Sequence, residues 1–482
     1  MTKTGKYVVI LQRKPQDSKI AQTKRQKKKK NDRKMSNKVK FGSKIGLIAA
    51  TVGSAVGLGN VWRFPNAAQE NGGAAFLLLY LACVFILGIP VMLSEFSLGR
   101  GGNADSVTVY HKLTPGRPWY LNGWLGVIAS YLILSYYMVV AGWTVEYFWH
   151  SLTGELYDGT APFAEKMGDM IATTYKPVFW TWVMIVLNMG ILIKGVNKGV
   201  EKMSNILMPL LFVILVIFCC VALNLPKAAE GVEYFLLPDF SKINGQALSC
   251  ALGQAFFSLS LGMGILVTYS AYYPSDTKLT RTAVTVSSLG FLVALLMGLI
   301  IFPAVTSFGL NGGSDTLKGT ALIFITLPEV FMRMQQPAFW STLFFLLLAV
   351  AALTSTISLG EVVILLLQDR FKLSRAKACL MVMLPLFVLS TICSLSIGPW
   401  ADITILGMTI FDFLDSTATN LLLPVCAFVG CIYVGWVLPR RYLQDELTNH
   451  GTFGSFAYPM VLFSIRFVAP LLIVFILFSQ LL

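Results

Sequence analysis

The chain has 482 residues, 55% of them hydrophobic and 13% charged, with a mean hydropathy of +0.68 and a formal net charge of +14. Soluble domains carry about 25% charged residues, and apolar runs of roughly 20 residues recur along this chain, which excludes a soluble globular enzyme and reads as a polytopic α-helical membrane protein. The eight cysteines lie in or beside apolar runs without CxxC or Cys/His spacing, as packing residues rather than a disulfide framework or metal cluster.

Residues 1–42 form a polar arm ending in the basic run KRQKKKKNDRKMSNKVK. Three readings stay open: a disordered cytoplasmic tail, a segment attracted to anionic lipid, and an extension upstream of a start at Met35. Eleven spans follow, near 44–66, 74–98, 121–149, 178–195, 203–223, 246–273, 282–309, 339–368, 376–396, 408–437 and 457–482. With the N-terminus inside, thirty of the 38 Lys and Arg fall on the inner side and six outside, leaving Arg63 and Arg466 within spans. The bias survives removal of the arm, so a cytoplasmic N-terminus and an external C-terminus are expected in a plasma (inner) membrane. The positive charge is thereby topological, and nucleic acid is not needed to explain it.

The first span, SKIGLIAATVGSAVGLGNVWRFP, is broken by Gly53, Gly57 and Gly59. Glycine costs roughly 1 kcal/mol in a helix interior, so the cluster marks a place where the helix opens. Unwound backbone at membrane depth survives only where protein buries it or a cavity receives it. The sixth span carries a second interruption at Ser258, Ser260, Gly262 and Gly264. These spans head two five-span sets, 43–223 and 246–437, which an odd span number places in inverted orientation; 457–482 is an added helix. Paired broken helices at matching positions point to a transporter's central site. Close helix packing by small residues is the competing reading for either span alone.

GSAVGLGNVWRFP with ENGGAAFLLLY, FFSLSLGMG in span 6 and ALTSTISLGEV in span 8 resemble the neurotransmitter:sodium symporter family, and the eleven spans resemble its bacterial amino-acid branch. The resemblance covers nearly the whole chain from about residue 40. It implies the leucine-transporter fold, all-α with a 5+5 inverted repeat, and sodium-driven symport of an amino acid by alternating access, with no enzymatic chemistry. Gly57 stands where amine transporters of the family carry Asp, so a substrate bringing its own carboxylate is expected. The carboxylate would meet the backbone near Leu58 and Gly59 and the hydroxyl of Tyr137. The ammonium would meet carbonyls around Ala55, Phe257 and Ser260. Ser54, Ile133, Phe257, Met263, Ser355 and Leu359 would form a mostly apolar pocket for a neutral, hydrophobic or aromatic side chain.

The same resemblance implies two sodium sites. One maps onto Gly53, Val56 and Ala351 through the backbone and onto Thr354 and Ser355 through hydroxyls. The other maps onto Ala55, Asn60 and Ser258, but Gly290 stands where an Asn or Asp normally completes it. Either Ser287 or Ser288 substitutes, or coupling uses one sodium ion. Ala294 offers neither Ser nor acid, so no strong chloride requirement is expected despite Tyr80, Gln254 and Ser258. An outer gate maps onto Arg63 and Asp415, and an inner gate onto Lys38 and Asp369, with Phe41 in the place of a Trp and Tyr272 as a brace. Glu95 is expected to hold the unwound backbone of span 6. Glu361 is either a proton-antiport group or a structural polar contact. The rival functions are a transporter coupled to protons or another cation and a non-transporting amino-acid sensor on the same fold.

Overall fold

The computed structural model describes residues 40–309, 319–454 and 457–479. The basic arm, and with it Lys38, lies outside the described residues. Nine unbroken helices are long and apolar enough to cross a membrane among the described residues. They are spans 2 (Ala74–Gly102), 3 (Tyr120–Thr153), 4 (Tyr175–Leu192), 5 (Val196–Leu223), 7 (Leu279–Ser307), 8 (Pro337–Phe371), 9 (Arg375–Ile397), 10 (Ile410–Val437) and 11 (Tyr458–Ser479). Span 1 is a bent pair, Lys44–Ala55 and Gly59–Glu70, with 67° between its halves. Span 6 is two short helices, Gly245–Ser258 and Ile265–Ala271, neither of which is long enough to cross alone. Large apolar side chains such as Phe179, Leu384, Val388 and Leu471 are exposed on the outer helix faces, as expected where the solvent is lipid.

Four shorter helices, Phe163–Ala172, Ala228–Leu236, Leu322–Met332 and Arg440–Thr448, occupy connections that the hydropathy pattern leaves as loops. Their apolar faces are too short to register as spans and pack onto the bundle instead. Phe235 of the second stacks on Phe302 of span 7 at 5.0 Å between ring centroids and meets Phe64 edge-on.

Spans 3 and 8 pack along their length and form a frame behind the two broken helices. The start of span 1 is held by a buried acid from span 5. Glu201 accepts the Gly42 and Ser43 N–H groups at 2.8 and 2.9 Å and the Ser43 hydroxyl at 2.8 Å, while Ser43 Oγ accepts the Gly46 N–H at 2.9 Å. A carboxylate there meets both the orphan donors and the positive end of the helix dipole.

The two breaks have different local causes. In span 1 the last helical bond of the first half runs from Val56 N–H to Val52 at 2.7 Å, and Val56 then turns extended. In span 6 the break runs through residues 259–264, where Ser260, Gly262 and Gly264 all take positive φ, +54°, +77° and +71°. Glycine adopts that region freely, whereas a serine there is uncommon. Ser260 is held by its hydroxyl, which donates to the Ser54 carbonyl at 2.7 Å and ties one break to the other. Glu95 of span 2 accepts the Gly262 N–H at 2.8 Å, the structural contact expected of it.

Candidate functional site

Between the breaks lies a small cavity. Span 1 contributes Ser54, Ala55 and Gly59, span 3 Ile133 and Tyr137, span 6 Phe257, Ser258, Ser260 and Met263, and span 8 Ser355 and Leu359. Leu58 is buried behind this surface, and its N–H donates to the Tyr137 hydroxyl at 2.9 Å. All but one of the expected substrate residues therefore meet in one place. Gly57, Asn60 and Ile265 also line the cavity. Ile265 was missed; the signal was its position directly after the last break residue, Gly264.

Gly57 is tightly enclosed. A Cβ there would lie 2.8 Å from Ser355 Oγ and 3.0 Å from the Tyr137 hydroxyl. At Gly59 a Cβ would run into the Phe257 ring. Both glycines let backbone approach where a side chain would fill the cavity.

The residues assigned to the second cation site also converge. The Ser355 hydroxyl donates to the Gly53 carbonyl at 3.4 Å, and Thr354 Oγ1 donates to the Ala351 carbonyl at 3.0 Å. A Cβ at Gly53 would lie 3.2 Å from Thr354 Cβ. Val56 follows directly on the last turn of the same half-helix. These are hard oxygen donors held by two rigid helices, the chemistry that suits an alkali cation.

The other cation site is less complete. Asn60 donates through Nδ2 to the Ala55 carbonyl at 3.2 Å, and its Oδ1 is buried with no partner. The Ser258 hydroxyl pairs with Tyr80 at 2.8 Å. A Cβ at Gly290 would find nothing within 4 Å, so the missing side chain leaves open space. Of the two candidate substitutes, Ser288 is exposed on the outer face, whereas Ser287 is fully buried with an unpartnered hydroxyl. Gln254 Oε1 is likewise unpartnered, and Ala294 is buried without a polar group.

At one end of the path the Arg63 guanidinium lies over the Phe257 ring, 5.5 Å from its centroid. Asp415 is an electrostatic neighbour of Arg63 and Tyr136, but no ion pair closes between Arg63 and Asp415 among the described residues. At the other end Phe41 is buried, its N–H donating to the Tyr272 carbonyl at 3.0 Å. Its ring meets Tyr269 and Tyr272 edge-on at 6.0 and 6.2 Å.

The Tyr272 hydroxyl is directed at Glu361. It donates at 2.7 Å to this carboxylate, which Arg375 also grips through two nitrogens at 2.8 and 2.5 Å. Arg375 Nε donates further to the Leu192 carbonyl at 2.8 Å, joining spans 4, 8 and 9. Of the two readings of Glu361, the structural contact is the one the geometry makes. Arg375 was missed, although a buried acid calls for a cation and the chain offers one just across the short turn into span 9. Asp369 accepts the Asp105 N–H at 3.0 Å. Burial, reinforced by repulsion from Asp369, pushes the Asp105 carboxyl above the usual carboxylate range.

The sodium:neurotransmitter symporter family model matches residues 38–164 and 163–482. A sodium-dependent transporter of Bacillus subtilis (strain 168) is 34% identical over 443 residues, covering 91% of this chain and 96% of that protein. A sodium-dependent nutrient amino acid transporter of Drosophila pseudoobscura pseudoobscura is 25% identical over 86% of this chain and 71% of its own. The crystal structure of MhsT in complex with L-phenylalanine superposes with a TM-score of 0.84 at 37% identity, covering 92% of this chain and 100% of that one. The fold is that of the leucine transporter, and the chain belongs to the sodium:neurotransmitter symporter family as a multi-pass, sodium-dependent transporter rather than an enzyme.

Proposed function

We propose that the chain is a sodium-coupled symporter of a neutral amino acid with a hydrophobic or aromatic side chain, working by alternating access. The observation that carries this reading is the cavity between the two breaks. Its lining combines the Tyr137 hydroxyl and the backbone of the broken helices with the apolar side chains of Ile133, Met263, Ile265 and Leu359. The enclosure of Gly57 supports an amino acid over an amine, because a carboxylate side chain at that position would displace Tyr137 and Ser355. The phenylalanine bound to MhsT supports an aromatic or large apolar substrate.

In this reading sodium sits among Gly53, Val56, Ala351, Thr354 and Ser355 and holds the first half of span 1 against span 8. The substrate carboxylate approaches the Leu58 and Gly59 N–H groups and Tyr137, and its ammonium the carbonyls near Ala55, Phe257 and Ser260. Arg63 and Asp415 then close over it, while the Phe41–Tyr272 contact shuts the opposite, cytoplasmic side. The N-terminus is cytoplasmic and the C-terminus external in the plasma (inner) membrane, and there is no strong chloride requirement.

The open space at Gly290 supports a second reading of the stoichiometry: one coupling ion rather than two, because the position that would complete the first site carries no side-chain oxygen. A reversal-potential measurement in vesicles giving two sodium ions per substrate would sink that reading. For the substrate, the test is a thermal-shift screen of the twenty amino acids in sodium and in potassium. Large apolar or aromatic amino acids should raise the unfolding midpoint in sodium only, because a ligand that binds the folded state stabilises it by mass action. Stabilisation by small polar amino acids, or equally in potassium, would overturn the assignment.

A further inference from the structure

A second, small cavity lies on the far side of the span 6 break from the first. The wall between them is the segment 259–264: Met263 lines the first cavity, and Gly262 and Gly264 line the second. Three side chains in this second cavity carry buried oxygens without partners, Glu95 Oε2, Ser106 Oγ and Asn122 Oδ1. All three residues are at least nine-tenths buried, with exposures of 7%, 3% and 3%. The other oxygen of Glu95 is engaged with the Gly262 N–H, and Asn122 Nδ2 with the Tyr110 hydroxyl at 2.8 Å.

No Lys, Arg or His lines the cavity. The titratable neighbours of Glu95 are Tyr110, from the helix Thr108–Leu113, and Cys426 and Cys431 of span 10. None of them brings a positive charge. A buried carboxylate with one N–H donor and no cation is strongly disfavoured in a low-dielectric interior. A single acid among neutral oxygens matches one positive charge and is too weak a donor set for a divalent ion.

We propose that this cavity is a monovalent-cation site centred on Glu95, which takes up one positive charge, either as a proton on the carboxyl or as an alkali cation shared with Asn122 and Ser106. Because Glu95 also holds Gly262, the charge at this site bears directly on the unwound segment that walls the first cavity. The site is separate from the Gly53–Ser355 cluster and does not depend on which substrate the transporter carries.

The test is infrared difference spectroscopy of the full chain in lipid nanodiscs at neutral pH, wild type against Glu95→Gln, with sodium, potassium or N-methylglucamine as the sole cation. A protonated-carboxyl C=O band that disappears in Glu95→Gln and ignores the cation identifies the proton. A Glu95 carboxylate band that shifts with sodium or potassium, but not with N-methylglucamine, identifies the alkali ion. Should Glu95→Gln fail to fold, Asn122→Leu leaves the Glu95–Gly262 bond in place. It keeps the protonated band in the first case and loses the cation response in the second. A wild-type spectrum with neither a buried protonated glutamic acid nor a cation-dependent carboxylate overturns the proposal.

Discussion

The two sides of the central cavity are held together by different physics. At the Phe41 end a fully buried carboxylate, Glu361, is gripped by Arg375 and Tyr272, and an aromatic cluster of Phe41, Tyr269 and Tyr272 packs beside it. At the Arg63 end the guanidinium rests on the Phe257 ring and its acidic neighbour, Asp415, stays unpaired with it. A bidentate pair inside a packed interior must be broken as a unit. A cation over a ring contributes only about 0.5–2 kcal/mol. The Phe41 end is therefore the more firmly held of the two, and the Arg63 end is the one a small free-energy change can rearrange.

Substitutions at the two ends should separate accordingly. The largest effect is expected from Glu361→Gln, which leaves Arg375 buried without its counter-charge. Loss of one partner of a buried pair costs about 3–5 kcal/mol, read as a fall in the unfolding midpoint in detergent. An unchanged midpoint would mean the pair contributes nothing to closure. Phe41→Ala comes next, at roughly 3 kcal/mol for a buried aromatic truncation, read in the same assay. It should also speed modification of a cysteine placed at Ser54 by a water-soluble thiol reagent, since it opens the path on that side. Arg63→Gln should lower stability by less than about 1 kcal/mol while greatly reducing substrate accumulation. A fall as large as that of Glu361→Gln would erase the contrast between the ends. Smallest is Lys44→Ala. The pair of Lys44 with Asp276 spans 3.6 Å with both side chains mostly exposed, so the midpoint should move by no more than about 0.5 kcal/mol. Buried and exposed ion pairs at one end would then differ several-fold.

Much of this arrangement was legible in the sequence because it depends on residue types that backbone geometry demands. Gly57, Gly59, Gly262 and Gly264 announced two broken helices, and the family motifs around them located the cavity. The short helices between spans were not legible, since helices of nine to eleven residues give no spanning signal. Arg375 read as one more basic loop residue, because its partner lies 14 positions away on another helix and hydropathy does not report pairing. The choice between Ser287 and Ser288 turned on which face of span 7 points inward, and two adjacent serines in an apolar helix leave that phase undetermined. The second cavity was invisible for a related reason. It is built from orphaned atoms of Glu95, Ser106 and Asn122, which come from separate elements and carry no shared motif.

The central claim is that the cavity between the two breaks carries an amino acid inward at the expense of a sodium gradient. Uptake of radiolabelled L-phenylalanine into proteoliposomes containing the purified chain tests it most directly. An inward sodium gradient should drive accumulation above the external concentration, and replacing external sodium with potassium or adding Ser355→Ala should abolish it. Accumulation that persists without sodium, or follows an imposed proton gradient alone, would contradict the account.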